Sequence, residues 1–95
     1  MRQQEVFKAM ADPTRRAILK RLQAGSLTAG EIGAAFAITS ASLSHHFNVL
    51  KRADLVRTER RGQHIVYSLN STVFEDLARV LLDLFPSRNQ PGAKS

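Results

Sequence analysis

With 95 residues and 43% hydrophobic composition, the chain has material for one modest core and too little for a second. Fourteen Lys and Arg against eight Asp and Glu give a net charge of +6, which favours a polyanionic partner without separating DNA from RNA or a membrane surface. The chain has no cysteine, which excludes disulfides, zinc ribbons, thiol switching and cysteine nucleophiles; with no long apolar run and no leading signal segment, we expect a cytoplasmic protein without membrane insertion.

In chain order, Gln3 to Ala11 reads as a short helix with Val6, Phe7 and Met10 on one side. Asp12-Pro13 is a helix start, with Asp at the N-cap and Pro at the first helical position, and the helix it opens shows Ile18, Leu19 and Leu22 before Gly25 ends it. Of its basic residues, Lys20 and Arg21 read as a solvated face, while Arg15 and Arg16 lie near enough to the start to approach phosphate. Ser26-Leu27 is long enough only for a stub of strand. Thr28 and Glu31 form a capping box that opens a helix through about Phe36, and Ala37-Ile38-Thr39 makes a turn.

Thr39 caps a helix from Ser40 to about Ala53 that has neither proline nor glycine and places Leu43, Phe47 and Leu50 toward a core. Its opposite arc carries Ser40, Ala41, Ser44, His45, Asn48 and Arg52, with Ser42 and Lys51 beside it. Such a face, free of acids, suits a DNA major groove, where short polar groups and cations reach base edges and phosphates. The pattern then alternates. Leu55 to Arg60 and His64 to Leu69 read as two strands around Arg61-Gly62-Gln63, a hairpin that would bring Arg60, Arg61, Gly62 and His64 to the phosphate backbone or a minor groove.

Asn70 or Ser71 caps a last helix to about Phe85, ended by Pro86. Val73, Phe74, Leu77, Ala78, Val80, Leu81, Leu82, Leu84 and Phe85 spread around more than one stripe of it. One small domain cannot cover them all, so we expect a homodimer in which Phe74, Leu77, Leu81, Leu84 and Phe85 pack beside Val6, Phe7 and Met10 of the first helix. Ser87 to Ser95 is expected to be a disordered tail, leaving residues 1–86 as one DNA-binding and dimerisation domain.

The fold class this order predicts is mainly α with a small β-hairpin, a winged helix-turn-helix with terminal helices at a homodimer interface. The segments F-K-A-M-A-D-P-T-R-R-A-I-L (Phe7 to Leu19), L-T-A-G-E-I (Leu27 to Ile32), I-T-S-A-S-L-S-H-H-F-N-V-L-K-R-A-D-L-V (Ile38 to Val56) and R-R-G-Q-H-I-V-Y-S-L-N (Arg60 to Asn70) resemble the ArsR family of bacterial repressors, and within it the SdpR-like autorepressor branch. The resemblance implies a homodimeric repressor on a pseudo-palindromic double-stranded DNA operator, often its own promoter.

The chain departs from the metal-sensing members of that family. Thr28-Ala29-Gly30 stands where metal sensors carry C-x-C, and Asn70 to Thr72 where others place Asp and His ligands in the last helix, with no histidine after His64. We therefore expect no metal and no cofactor. Of the histidines, His45 falls with the DNA-facing arc and His46 on the inward edge as a structural residue. The adjacent pair diverge by about 100° around the helix, which argues against a cluster with His64. Ser44 with His45 or His46 lacks a G-x-S-x-G elbow, an orienting acid and a pocket, so an enzyme is not expected. Two further readings stand beside DNA binding: a winged-helix module acting chiefly on other proteins, and a repressor controlled by a regulatory protein partner.

Overall fold

A computed structural model describes residues 1–86, so the tail expected from Ser87 to Ser95 lies outside the described residues. The elements are α1 (Gln3–Met10), α2 (Pro13–Leu22), β1 (Leu27–Thr28), α3 (Ala29–Phe36), α4 (Ser40–Arg52), β2 (Val56–Arg61), β3 (His64–Leu69) and α5 (Ser71–Leu82). No helix among the described residues is long and apolar enough to cross a membrane.

Local side-chain caps set where the central helices begin. Asp12 accepts from the Arg15 backbone N–H at 3.0 Å, and Thr39 from that of Ser42 at 3.1 Å. At α3 the cap is reciprocal: Thr28 accepts from the Glu31 N–H at 3.1 Å, while the Glu31 carboxylate accepts from the Thr28 N–H at 2.8 Å. Each such cap contributes about 1 kcal/mol by satisfying amides that have no helical partner. The Arg15 N–H also holds the Asp12 carboxyl below its ordinary value; the Arg15 guanidinium and His46 pull the same way, against the cost of burial. A carboxyl depressed in this way stabilises the fold fully above the ordinary carboxylate range, and that stabilisation is lost as pH falls through the depressed value.

The wing is larger than the expected hairpin. Its strands form a three-stranded antiparallel sheet in the order β1-β3-β2, because the Leu27-Thr28 stub pairs with β3 in the register Leu27↔Tyr67 and Thr28↔Val66. On the other edge the register runs from Val56↔Leu69 to Arg61↔His64, which leaves Gly62-Gln63 as a two-residue turn. Gly62 has φ +61 and Gln63 is not in the left-handed region, the pattern of a type II′ turn with glycine at its first central position. β2 begins one residue later than predicted. Asp54 turns left-handed at φ 58 after α4, so that the Leu55 N–H bonds back to the Leu50 carbonyl and Leu55 closes the helix rather than opening the strand.

One core joins these parts. Ile18, Ile32, Leu50, Leu55 and Val6 are fully buried, α1 packs on both α2 and α4, and the buried arc of α4 extends to Val49. Phe47 of α4 stacks on Tyr67 of β3 with ring centroids 4.1 Å apart and planes 20° apart, fixing the sheet to the underside of α4. Gly33 lets α3 approach α4 closely, since a Cβ there would lie 3.1 Å from a Leu43 methyl. α5 stops at Leu82, short of the expected Phe85. Pro86 has no N–H to continue the ladder and disfavours helical backbone at the residue before it.

Ala37 ends α3 in the left-handed conformation, at φ 51 and ψ 41. An L side chain pays for that conformation with a contact between Cβ and carbonyl that glycine lacks. Ala37→Gly should therefore raise the unfolding free energy by about 0.5 to 1 kcal/mol, read from the urea midpoint at unchanged slope.

Candidate nucleic-acid interface

The candidate surface starts from α4. Ser40, Ala41, Ser42, Ser44, His45, Asn48, Lys51 and Arg52 are all exposed, and Leu43, Phe47, Val49 and Leu50 turn inward. The two faces thus divide as the period predicts. No acid occurs between Glu31 and Asp54, so nothing on α3 beyond its first turn or on α4 repels a phosphate. Lys51 and Arg52 sit in the last turn of α4, where the helix dipole also favours a cation.

The wing supplies the second part. Arg60, Arg61, Gly62 and His64 are exposed at its tip, yet the two arginines differ. Arg61 pairs with Glu59 at 3.0 Å, both side chains being largely in water, whereas Arg60 has no ion pair among the described residues. At the base of the wing, Arg57 donates to Asn70 Oδ1 at 3.1 Å and Asn70 Nδ2 donates to the Asp54 carbonyl at 2.9 Å. Asn70 is the N-cap of α5 but makes no side-chain cap; its amide ties the end of the wing to the end of α4 instead.

Arg15 corrects the sequence expectation. It does not reach outward toward phosphate but is 8% exposed, the one buried charged side chain among the described residues. Its Nε donates to the Ala9 carbonyl at 2.9 Å and one terminal nitrogen to that of Lys8 at 3.0 Å, while the other terminal nitrogen lies 3.2 Å from His46 Nδ1. Arg16 stays exposed and donates to the Met10 carbonyl at 2.7 Å. The last carbonyls of α1 are thus capped by two guanidinium groups of α2. Sequence reasoning also passed over Arg2, which donates to the Arg52 carbonyl at 2.9 Å and so closes the end of α4 from the start of α1. His46 is a partly buried residue, as its inward position suggested, and the His45 and His46 rings stand 5.7 Å apart at 54°.

A second, apolar surface lies on the terminal helices. Phe7 is 43% exposed, Leu81 41%, Leu84 76% and Phe85 64%, with Met10 and Phe74 half-buried beside the core. Val6 and Leu77 do not belong to it. They are 0% and 7% exposed within one chain and have little or no surface to offer another. Leu82, at 67% exposed, was not singled out from the sequence for this surface.

A helix-turn-helix domain family model matches residues 10–59. The transcriptional repressor SdpR of Bacillus subtilis is 50% identical over 78 residues, 82% of this chain and 87% of that protein. The transcriptional activator HlyU of Vibrio cholerae is 33% identical over 90% of this chain and 79% of its own length. Among solved structures, an ArsR family transcriptional regulator superposes with a TM-score of 0.79 at 29% identity, covering 86% of this chain and 84% of that one.

The unequal pairing of the wing arginines yields a test. Arg60→Ala should lower the slope of log K against log salt for duplex DNA by about 1, and Arg61→Ala by less, because Arg61 exchanges one anion for another. Glu59→Gln should strengthen binding. Equal slopes for the parent and Arg60→Ala, measured by fluorescence anisotropy over a salt series, would remove the wing from the contact.

Proposed function

The chain belongs to the ArsR family of winged-helix transcriptional repressors, a class of DNA-binding regulators rather than enzymes, and from that premise we propose that it represses as a homodimer on a pseudo-palindromic operator in its own upstream region. Residues 1–86 form the binding and dimerisation domain, with α4 in the major groove and the wing tip on the adjacent backbone. The observation that carries this reading is the exposed arc of α4: small hydroxyls, an amide, an imidazole and two cations on an acid-free helix, held from beneath by its own core. Small side chains at Ser40, Ala41 and Ser44 let the helix approach base edges closely, and Asn48 and His45 offer donors and acceptors. A-form RNA is a poor fit, because its deep, narrow groove does not admit a helix.

Dimerisation is supported by the terminal helices. Phe7, Leu81, Leu82, Leu84 and Phe85 are large apolar side chains left exposed on α1 and on or just past α5, the kind of surface that a partner chain covers. Two-fold symmetry then places two copies of α4 on half-sites about one helical turn or a small multiple of it apart. Repression without direct metal control is supported by the donor set: Thr28 to Gly30 and Asn70 to Thr72 stand where the family's metal sensors carry ligands.

A footprint of the protein on its own upstream DNA tests the operator, and two kinds of variant test the parts. Ser44→Ala and His45→Ala should each cost about 1 to 3 kcal/mol on the protected sequence and little on random duplex. Equal losses on both would reduce these side chains to backbone contacts. Leu81→Glu sets a carboxylate on the apolar face, so sedimentation should report monomer and operator binding should fall. A dimeric Leu81→Glu protein that binds as tightly as the parent would move the interface elsewhere.

A further inference from the structure

His46 stands on α4 beside the residues of the DNA-facing arc but does not share their exposure: its side chain is 14% exposed and faces the start of α2. There Nδ1 lies 3.2 Å from an Arg15 terminal nitrogen and 3.9 Å from Asp12 Oδ2. An arginine side chain only donates and stays charged, so the contact with Arg15 requires a lone pair on Nδ1. A ring that accepts there is neutral and carries its proton on Nε2. Arg15 at the same time holds the Lys8 and Ala9 carbonyls at the end of α1. One guanidinium thus joins α1, α2 and the recognition helix.

We propose that His46 is a positioning residue for DNA binding: by accepting from Arg15 at Nδ1 it fixes the rotation and depth of α4 against α1, and it does so only while the ring is neutral. The proposal rests on the DNA-binding reading above. The charged groups around the imidazole are Arg15 and Asp12 at the start of α2 and His45 on its own helix; α1 contributes the Lys8 and Ala9 carbonyls through Arg15. A protonated ring has no lone pair for Arg15 and turns its charge toward Asp12, whose Oδ2 already accepts from the Arg15 backbone N–H. Protonation therefore replaces a contact that ties α4 to α1 with one that competes for the cap of α2. The exposed His45 and His64 act with the opposite sign, since a proton on either adds a cation beside phosphates and tightens binding.

His46→Asn and His46→Leu separate positioning from bulk. Asn sets Oδ1 the same number of bonds from the backbone as Nδ1, an acceptor that does not titrate, and Leu fills the space with no acceptor. Affinity is measured for a fragment of the protein's own upstream region and for a scrambled duplex of the same length, at about pH 8 and about pH 5.5. At the higher pH, His46→Leu should lose about tenfold or more on the upstream fragment and much less on the scrambled duplex, while His46→Asn stays within about threefold of the parent. Because His45 and His64 are common to both proteins, acidification should lower the affinity of the parent relative to that of His46→Asn, whatever the direction of the shared change. Nitrogen-15 shifts of the DNA-free parent should place the His46 proton on Nε2. Identical pH responses of the parent and His46→Asn, a His46→Leu protein that binds as the parent does or loses equally on both duplexes, or a ring protonated on Nδ1 alone would each overturn the proposal. A parent with no preference for the upstream fragment would overturn the operator reading, and the positioning role with it, whereas the tautomer would still decide the contact.

Discussion

A guanidinium withdrawn from water must find partners for the donors it brings with it, and Arg15 of α2 finds them on two other helices at once. Leaving such a charge unpaired costs several kcal/mol, so the positions of α1, α2 and α4 around it are mutually dependent. α1 depends on it most. Eight residues cannot sustain a helix in water, and α1 gains its order from packing on α2 and α4 and from the arginines that close its last turn. That short helix also carries the exposed Phe7, so the apolar face of the terminal helices is held in part by the same junction that seats α4.

The wing is fastened to α4 by different physics. The Phe47–Tyr67 stack is apolar and lies in the core, where burial also pushes the Tyr67 hydroxyl up from its ordinary value, so it stays neutral. At the rim the Asn70 amide bridges Arg57 and the Asp54 carbonyl, and the left-handed Asp54 turns the chain from helix into strand. Apolar packing sets the distance between helix and wing and the polar bridge sets their angle, so the exposed arc and the wing tip stand in a fixed relation before any ligand arrives.

Much of this was legible in the sequence, and what was missed has a physical reason. Asp12-Pro13, the Thr28 and Glu31 pair and Gly62 mark their boundaries because each acts over three residues or fewer, which a linear reading can see. Leu43, Phe47 and Leu50 gave the inward face of α4 by period alone. The role of Arg15 was hidden because its partner on α4 is 31 residues away, and a basic residue near a helix start reads as free to approach phosphate until α4 is in place. Period also shows that α5 has two apolar sides but not which one the core claims: Leu77 went inward, and Leu81 and Leu82 were left out. The left-handed Ala37 and Asp54 carry no glycine to announce them. The pairing of β1 joins residues about forty positions apart, beyond any local signal.

Thr28 belongs to two structures at once. Its backbone pairs with Val66 in the sheet, and its hydroxyl and N–H complete the cap of α3. The sheet and the cap of α3 thus share one residue, and native-state hydrogen exchange should show them opening together. α5, which buries only Val73 and Leu77 in a single chain, has no such tie. Its last turns can therefore open without unpairing the sheet or uncapping α3.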